Sequence, residues 1–251
     1  MKKIIIPILA LVIASCGGGN NNQTQGGNTP ATDQKTTESQ SATASETAAP
    51  KKLGDFLTQD LRMHNFFGKV KTAKTTIYDC GADQKPLPDS ETYEDYYVPE
   101  YDADGHFKTY IDVAFSVSGI KKKDGDRILE AEEKIADFGD QPINAVWTYN
   151  ANNQVKTYHV DGIEGRSDEE YFYNAEGELT KVTSEASGEG EMTRTTTSYK
   201  ILARDANGNW TERFATIESE DGSWDDAKQD FANFQKRDTR YELHKREIQY
   251  Y

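Results

Sequence analysis

The side chains that most often perform acid–base, nucleophilic or metal chemistry are sparse in this chain of 251 residues. Its four histidines, His64, His106, His159 and His244, lie far apart and do not form a metal-binding spacing such as His-Glu-x-x-His. The sequence contains neither a Gly-x-Ser-x-Gly nucleophile motif nor a phosphate-binding loop. We therefore expect that the protein is not an enzyme.

Acidic residues offer the main alternative to that expectation. The adjacent pairs are Glu132-Glu133, Glu169-Glu170 and Asp225-Asp226. On a strand, neighbouring side chains point to opposite faces, so none of these pairs forms an acid–base couple by itself. Carboxylates from distant positions can still meet in a folded chain, and a hydrolase with dispersed carboxylates stays open as an alternative.

Calcium is the metal that the sequence is best suited to bind. Asp102, Asp104, Asp205 and Asn207 provide clustered oxygen ligands. Their segments lack the glycine at position six and the glutamate at position twelve of an EF-hand loop. Because turn formation alone explains these residues, we expect no metal and no other cofactor, with calcium as the minority alternative.

The N-terminal residues have the features of a bacterial export signal. Two lysines precede an apolar stretch over residues 4–14, which is shorter than the roughly 20 residues of a membrane-spanning helix. Residues 13–16 (Ile-Ala-Ser-Cys) resemble the bacterial lipobox, whose cysteine is acylated and becomes the new N-terminus. The resemblance implies a signal peptide over 1–15, lipidation of Cys16 and attachment to a membrane through that lipid. An ordinary signal peptide that happens to contain Cys16 is the alternative.

A flexible linker follows the cysteine. Residues 17–52 contain no aromatic residue and no aliphatic residue larger than alanine, so we expect residues 16–52 to be a lipidated cysteine and a disordered linker. The charges of the linker cancel, and the acidic excess behind the net charge of −14 belongs to residues 53–251, the single predicted domain. An acidic domain is unsuited to binding nucleic acid. Lipidated Cys16 would leave Cys80 without a disulfide partner, as a small buried hydrophobe.

The residues after Cys16 indicate a compartment by resemblance to known lipoprotein sorting signals. Gly17 replaces the aspartate that retains lipoproteins in the inner membrane, which favours the outer membrane. Surface-exported lipoproteins of the Bacteroidetes type often carry acidic residues here, and residues 17–22 contain none. We therefore expect a lipid-anchored outer-membrane protein that faces the periplasm rather than the cell surface.

Four short segments, at 101–107, 149–155, 173–179 and 204–210, share one frame: Tyr, Asp or Asn, Ala, any residue, Gly, any residue, apolar residue. The fourth copy departs from it, because Arg204 replaces the Tyr. The Asp or Asn is expected to cap a type I turn, and the Gly, replaced once by Asn, to take the positive φ that follows it. The predicted turn-forming residues are Asp102, Gly105, Asn150, Asn153, Asn174, Gly177, Asp205 and Gly208. Each repeat predicts a β-hairpin, and since a lone hairpin is only marginally stable, the hairpins should stack side by side.

The predicted fold is mainly β: an antiparallel meander sheet of repeated hairpins with nine or ten strands and two or three short helices. One short amphipathic helix is expected from the spacing of Leu53, Phe56, Leu57 and Leu61, with Phe66-Phe67 before a glycine stop at Gly68. Helical spacing also occurs at Ile128, Ala131, Ile135 and Phe138, where a strand is the alternative, and at Trp224, Ala227, Phe231 and Phe234, where Ser223 is the candidate cap.

The repeat resembles the YD (Rhs-type) repeat, with its Tyr-Asp-x-x-Gly core. It is more similar to short outer-membrane lipoproteins of Bacteroidetes-type bacteria built from such hairpins, and the resemblance covers most of residues 67–251. It implies a fold and a location but no activity. The chain is too short to form the toxin-enclosing shell of the large Rhs proteins.

The aromatic residues of the strands provide the last candidate site. Trp147, Trp210, Tyr149 and Tyr173 would be able to stack on sugar rings or peptides if one face of the sheet were exposed. We favour the alternative, in which they form the core or cross-strand pairs. The sequence thus predicts a non-catalytic binding or structural module of the cell envelope, whose partner is an unknown envelope protein or polysaccharide. A glycan-binding accessory lipoprotein is the alternative.

Overall fold

The computed structural model describes residues 56–88, 92–94, 98–110, 116–134, 143–161 and 165–251. Within these ranges, 14 strands form one antiparallel sheet, and one short helix packs on it. The elements are α1 (Gln59–Met63), β1 (Val70–Cys80), β2 (Thr92–Glu94), β3 (Pro99–Tyr101), β4 (Phe107–Tyr110), β5 (Ser116–Asp124), β6 (Arg127–Lys134), β7 (Ile143–Tyr149), β8 (Val155–Asp161), β9 (Gly165–Tyr173), β10 (Leu179–Gly188), β11 (Glu191–Arg204), β12 (Trp210–Asp225), β13 (Asp230–Lys236) and β14 (Arg240–Tyr250).

Most of the sheet is a meander, in which consecutive strands are neighbours from β5 through to β12. The last strand, β14, then pairs with β12, and β1 pairs with β14 over its whole length. Strands β3 and β4 extend the sheet beyond β1, while β13 pairs with the far half of β12 and β2 pairs with β1. The prediction of a mainly β chain with a large antiparallel meander sheet is confirmed.

The sheet is curled, because α1 touches hairpins that a flat sheet would hold far apart. The β3–β4 and β7–β8 hairpins are separated by seven strand spacings, or more than about 30 Å. A helix of five residues is about 7.5 Å long. Even so, the Thr58 hydroxyl donates to the Gly105 carbonyl at 2.7 Å, while Arg62 donates to the Asn152 carbonyl at 2.7 Å. Both hairpins must therefore bend towards the helix.

The register defines which residues share the face on which α1 packs. Directly paired residues of antiparallel strands point to one face. One unbroken row of such pairs crosses β7 to β12 and consists of Trp147, Tyr158, Glu169, Ser184, Thr195 and Ser219. This is the helix-side face, and it carries the two larger apolar clusters. The opposite face carries a smaller cluster around Phe214 and Leu243.

The number of elements differs from the prediction. The sheet has 14 strands rather than nine or ten, and α1 is the single helix of the described residues rather than one of two or three. Thr58 caps α1 by accepting from the Leu61 amide at 3.1 Å, and the helix spans only Gln59–Met63. Leu53 lies outside the described residues.

Two segments with helical spacing are strands. Trp224 is directly paired with Phe231 across the β12–β13 hairpin, so the helix predicted there is wrong. The apolar spacing arises because the chain folds back through a four-residue turn, which places residues seven apart side by side. Ala131 lies in β6 and pairs with Ala145, which supports the strand alternative, whereas Ile135 and Phe138 lie outside the described residues.

Candidate functional site

The two cysteines differ in what the structure shows of them. The signal segment, Cys16 and the linker lie outside the described residues. Cys80 is a buried free thiol at the end of β1. Burial raises the pKa of this thiol, and the nearby carboxylates of Glu242 and Asp79 raise it further. A thiol held in its protonated form is a poor nucleophile.

The predicted turn residues form four similar hairpin turns at one end of the sheet. In each turn the Asp or Asn side-chain oxygen accepts backbone hydrogen bonds from later residues of the turn, as Asp205 does from the Asn207 and Asn209 amides, both at 2.9 Å. The corresponding bonds bind Asp102 to His106 at 2.9 Å, Asn150 to Gln154 at 3.1 Å and Asn174 to Glu178 at 2.9 Å. The residues three positions later have positive φ, namely Gly105 (89°), Asn153 (59°), Gly177 (82°) and Gly208 (88°).

The calcium candidates use their oxygens within these turns. Asp102 accepts from the Asp104 amide at 3.0 Å as well as from His106, and these bonds lower the pKa of its carboxyl. The second carboxylate oxygen of Asp205 accepts from the Tyr250 hydroxyl. No group of three or more His, Cys, Asp or Glu side chains in the described ranges is arranged to hold a metal ion. The oxygens of Asp102 and Asp205 therefore stabilise turns.

The four aromatic residues considered for ligand stacking lie within the helix-side core. Trp147 and Trp210 are only 2% and 6% exposed. Tyr149 donates its hydroxyl to the Ile128 carbonyl and Tyr173 to the Val155 carbonyl, both at 2.8 Å. Burial raises the pKa of Tyr149 to about 12. The rings therefore pack against the protein itself, and little of the two indoles is accessible to a ligand.

The most unusual feature of the helix-side face is a stack in which aromatic rings and arginines alternate. Arg246 lies between Phe66 and Trp210, with its guanidinium carbon 4.7 and 3.5 Å from the two ring centroids. Arg213 lies between Trp210 and Tyr199, at 4.2 and 4.0 Å. Cation–π contacts of desolvated guanidinium groups are worth about 2 kcal/mol. The stack thereby ties α1's neighbour Phe66 to β12, β14 and β11.

A hydrogen-bonded chain of charged and polar side chains continues from the stack. The Nε of Arg213 donates to Nδ1 of His244 at 3.1 Å, which leaves Nε2 of the neutral ring to donate to Glu242 at 2.8 Å. Arg240 also donates to Glu242, at 2.7 Å. Burial lowers the pKa of His244, and the charge of Arg213 lowers it further. Burial opposes ionisation of Glu242, but His244 and Arg240 outweigh it and lower the pKa of this carboxyl.

A second polar group lies on β9. Glu169 is 4% exposed and accepts from the Tyr171 hydroxyl, whose pKa is raised by burial and by this carboxylate. Burial raises the pKa of Tyr199, and the charge of Arg213 opposes this rise. The carboxylates of Glu242 and Glu169 raise the pKa of Tyr199 further. The buried Nε1 of Trp147 and hydroxyl of Ser167 have no hydrogen-bond partner among the described residues. Buried polar atoms of this kind are the usual positions of internal water.

On the opposite face of the sheet, His159 contacts carboxylates as His244 does on the helix-side face. Its Nδ1 lies 2.6 Å from Asp168 and its Nε2 lies 3.1 Å from Asp161. Burial acts to lower its pKa, but the hydrogen bonds and charges of the two aspartates outweigh burial and raise it. The site is partly open to solvent, since the side chains of His159 and Asp168 are 34% and 46% exposed.

Sequence reasoning missed the arginine stack and the His244 chain. The relevant residues, such as Arg213 and Arg246, lie on strands that are distant in sequence, and no local motif links them. A signal was present in the alternation of β14, where His244, Arg246 and Ile248 share one face at a spacing of two residues. From the sequence alone, charged residues at such positions are expected to face solvent. The pairing of β14 with β12 and β1 is needed to show that they do not.

Comparison with known proteins adds no family to this description. No protein-family model matches the chain, and no curated protein matches it. In the part of the chain that the structure describes, no helix is long and apolar enough to span a bilayer.

Proposed function

We propose that the chain is a lipid-anchored, non-catalytic protein of the bacterial cell envelope, whose curled sheet acts as a binding or structural module. Cys16 in its lipobox-like segment would carry the lipid, and residues 17–52 would act as a tether. The resemblance of the hairpin repeats to those of Bacteroidetes-type lipoproteins supports the same assignment. Gly17 and the uncharged residues after it favour an outer-membrane protein that faces the periplasm.

The main support for the non-catalytic proposal is that a histidine and a carboxylate of the helix-side face, His244 and Glu242, already bind other side chains. Both nitrogens of His244 are engaged, by Arg213 and by Glu242. A general acid needs a carboxyl whose pKa is raised towards neutrality, whereas the pKa of Glu242 is lowered. These contacts are typical of a network that holds strands together.

The two alternatives have weaker support. The glycan-binding alternative requires exposed rings at the predicted stacking residues, but Trp147 and Trp210 are buried. One feature favours a hydrolase with dispersed carboxylates: the charges of Glu169 and Glu242 both raise the pKa of the same side chain, Tyr199. Each of these carboxylates is already bound to a donor, Tyr171 or His244, so the non-catalytic reading is the stronger one.

The lipid anchor is testable with the two cysteines of the chain. Cells expressing the full chain would be fed an alkyne-tagged fatty acid, and the protein would be examined for label and for partition into detergent. We expect Cys16→Ala to abolish both, whereas Cys80→Ala, the matched control, keeps both because the Cys80 thiol is buried. Continued labelling of Cys16→Ala would refute the anchor.

Protease treatment of intact and permeabilised cells tests the location. The linker over 17–52 should be the preferred cleavage site because it contains no large apolar residue with which to pack. A periplasm-facing domain is cleaved only after the outer membrane is permeabilised. Cleavage on intact cells would overturn this part of the proposal and place the domain outside.

A further inference from the structure

Trp224 is the exception among the three tryptophans. It is 44% exposed, whereas Trp147 and Trp210 are 2% and 6% exposed. It lies at the end of the β12–β13 hairpin, next to the β10–β11 turn, where its amide donates to the Gly190 carbonyl at 2.9 Å. We call residues 188–191 and 223–230 the hairpin tip.

Local contacts hold the exposed indole in one orientation. Its Nε1 donates to Asp226 at 3.1 Å, and its ring meets the edge of Phe231 at a centroid distance of 5.3 Å. Closer to the sheet, the ring of Phe234 packs on Gly222, where a Cβ would lie 2.7 Å from it. Arg194 covers that ring at 3.8 Å. An exposed aromatic residue with fixed geometry binds a partner at a low cost in side-chain entropy.

The hairpin tip lies at the opposite end of the sheet from the N-terminal attachment. β12 runs from Trp210, beside the turns that α1 contacts, to Asp225 at the tip. Its 16 residues span up to about 50 Å. The segment that precedes Phe56 enters at the helix end, so a tethered domain is able to present the tip away from its anchor.

The charge of the tip selects the chemistry of a partner. Five of its residues are acidic, namely Glu189, Glu191, Asp225, Asp226 and Asp230, and one is basic, Lys228. Lys228 pairs with Asp225 at 3.1 Å. Asp226 and Asp230 are exposed beside the aromatic pair. A side chain that stacks on the indole here is surrounded by carboxylates.

Elsewhere in the molecule, aromatic rings are stacked with arginine side chains. Trp210 is sandwiched by two arginines, and Phe234 is covered by one. In the described part of the chain, no cation lies over the ring of Trp224, and the Nζ atom of Lys228 is paired with Asp225. An arginine supplied by another protein would make the same stacked contact with Trp224 and pair with the neighbouring carboxylates.

We propose that the hairpin tip is a docking site for a basic segment of another envelope protein, with an arginine stacked on Trp224 between Asp226 and Asp230. This inference rests on the proposed function, since it names the partner class of the binding module. Because the docking site and Cys16 lie in separate parts of the chain, the two proposals are tested independently.

The test measures binding of a fluorescein-labelled peptide of four Arg-Gly repeats to the full-length protein in nonionic detergent, by fluorescence anisotropy at 0.15 M salt. Trp224→Ala should weaken binding about fivefold, the order expected for one cation–π contact. The matched control Tyr251→Ala removes another exposed aromatic residue, at the helix end, and should leave the Kd unchanged. Asp230→Asn should weaken binding about two- to threefold, and its control Glu176→Gln should not.

The outcomes separate docking from general attraction between opposite charges. A peptide with citrulline in place of arginine should bind at least about fivefold more weakly, because it lacks the cation. Equal binding by the Trp224→Ala and Tyr251→Ala variants would overturn the proposal. So would an equal loss for Asp230→Asn and Glu176→Gln, which would show that net charge alone attracts the peptide. Each variant's thermal unfolding would be compared with the parent to show that it is folded.

Discussion

His159 and His244 lie on opposite faces of one sheet, and each contacts a carboxylate, yet their pKa values move in opposite directions. His244 is 3% exposed and has a positive neighbour, Arg213, so its neutral form is favoured. His159 is partly exposed between Asp161 and Asp168, so its charged form is favoured. The same residue type therefore serves as a neutral bridge on the helix-side face and as a cation on the opposite face.

The comparison indicates that solvent exposure determines how much a charged contact contributes to the free energy of unfolding. On the helix-side face, arginines and carboxylates are removed from water, so breaking one contact leaves another buried charge without compensation. On the opposite face, water and salt replace a lost partner. The four predictions below test this difference, from the largest expected effect to the smallest.

Loss of Arg213 should be the most damaging change. Arg213→Ala removes the guanidinium between Trp210 and Tyr199 and leaves Nδ1 of His244 without its donor, and should lower the free energy of unfolding by about 3 kcal/mol. The matched change on the opposite face is Arg166→Ala, which breaks an exposed contact with an aspartate and should cost about 0–1 kcal/mol. Urea unfolding measures both. Similar losses for the two variants would contradict the comparison.

The adjacent carboxylates Glu169 and Glu170 provide a matched pair on one strand. Glu169 is buried and accepts from Tyr171, whereas Glu170 is exposed. Glu169→Gln weakens a charge-assisted hydrogen bond and should cost about 1–3 kcal/mol. Glu170→Gln should change stability by less than about 0.5 kcal/mol. If calorimetry shows the larger loss for Glu170→Gln, the assignment of faces is incorrect.

His244 should destabilise the protein in acid. Its folded-state pKa is lowered, so the unfolded chain binds a proton more readily, and the free energy of unfolding falls as pH drops below the ordinary pKa of about 6.5. His244→Gln should flatten this slope between about pH 7 and 5. Part of the slope should remain over this range and down to about pH 4, because burial lowers the pKa of His64 to about 4. Denaturant unfolding across this range checks the result, and an unchanged slope would count against a neutral His244.

His159 should have the smallest effect, with the opposite sign. Its folded-state pKa is raised, so its contribution is complete below the ordinary pKa and disappears as pH rises through the raised value. His159→Gln should therefore be less stable than the parent at about pH 5.5 and equal to it at about pH 8.5. The difference should shrink in 1 M salt, since the site is partly exposed. A loss that is larger at high pH would contradict the cationic assignment.

Local sequence predicted the hairpins well because turns depend on a few adjacent residues. An Asx side chain that bonds its own backbone and a glycine or asparagine with positive φ specify the turns at Asp102, Asn150, Asn174 and Asp205 without help from the rest of the chain. The segment around Trp224 failed for the converse reason. Its spacing fits both a helix and a hairpin, and the edge of β12 decides between them.

The sequence by itself determined the β class, the turn positions and the acidic excess, since each follows from residue type and local spacing. Only the tertiary structure decided which face of each strand is buried. Pairing of β14 with β12 and β1 brings Arg213, His244 and Arg246 together, and the curl of the sheet places α1 against distant hairpins. These contacts join residues far apart in the chain, so their burial and pKa shifts depend on the whole sheet.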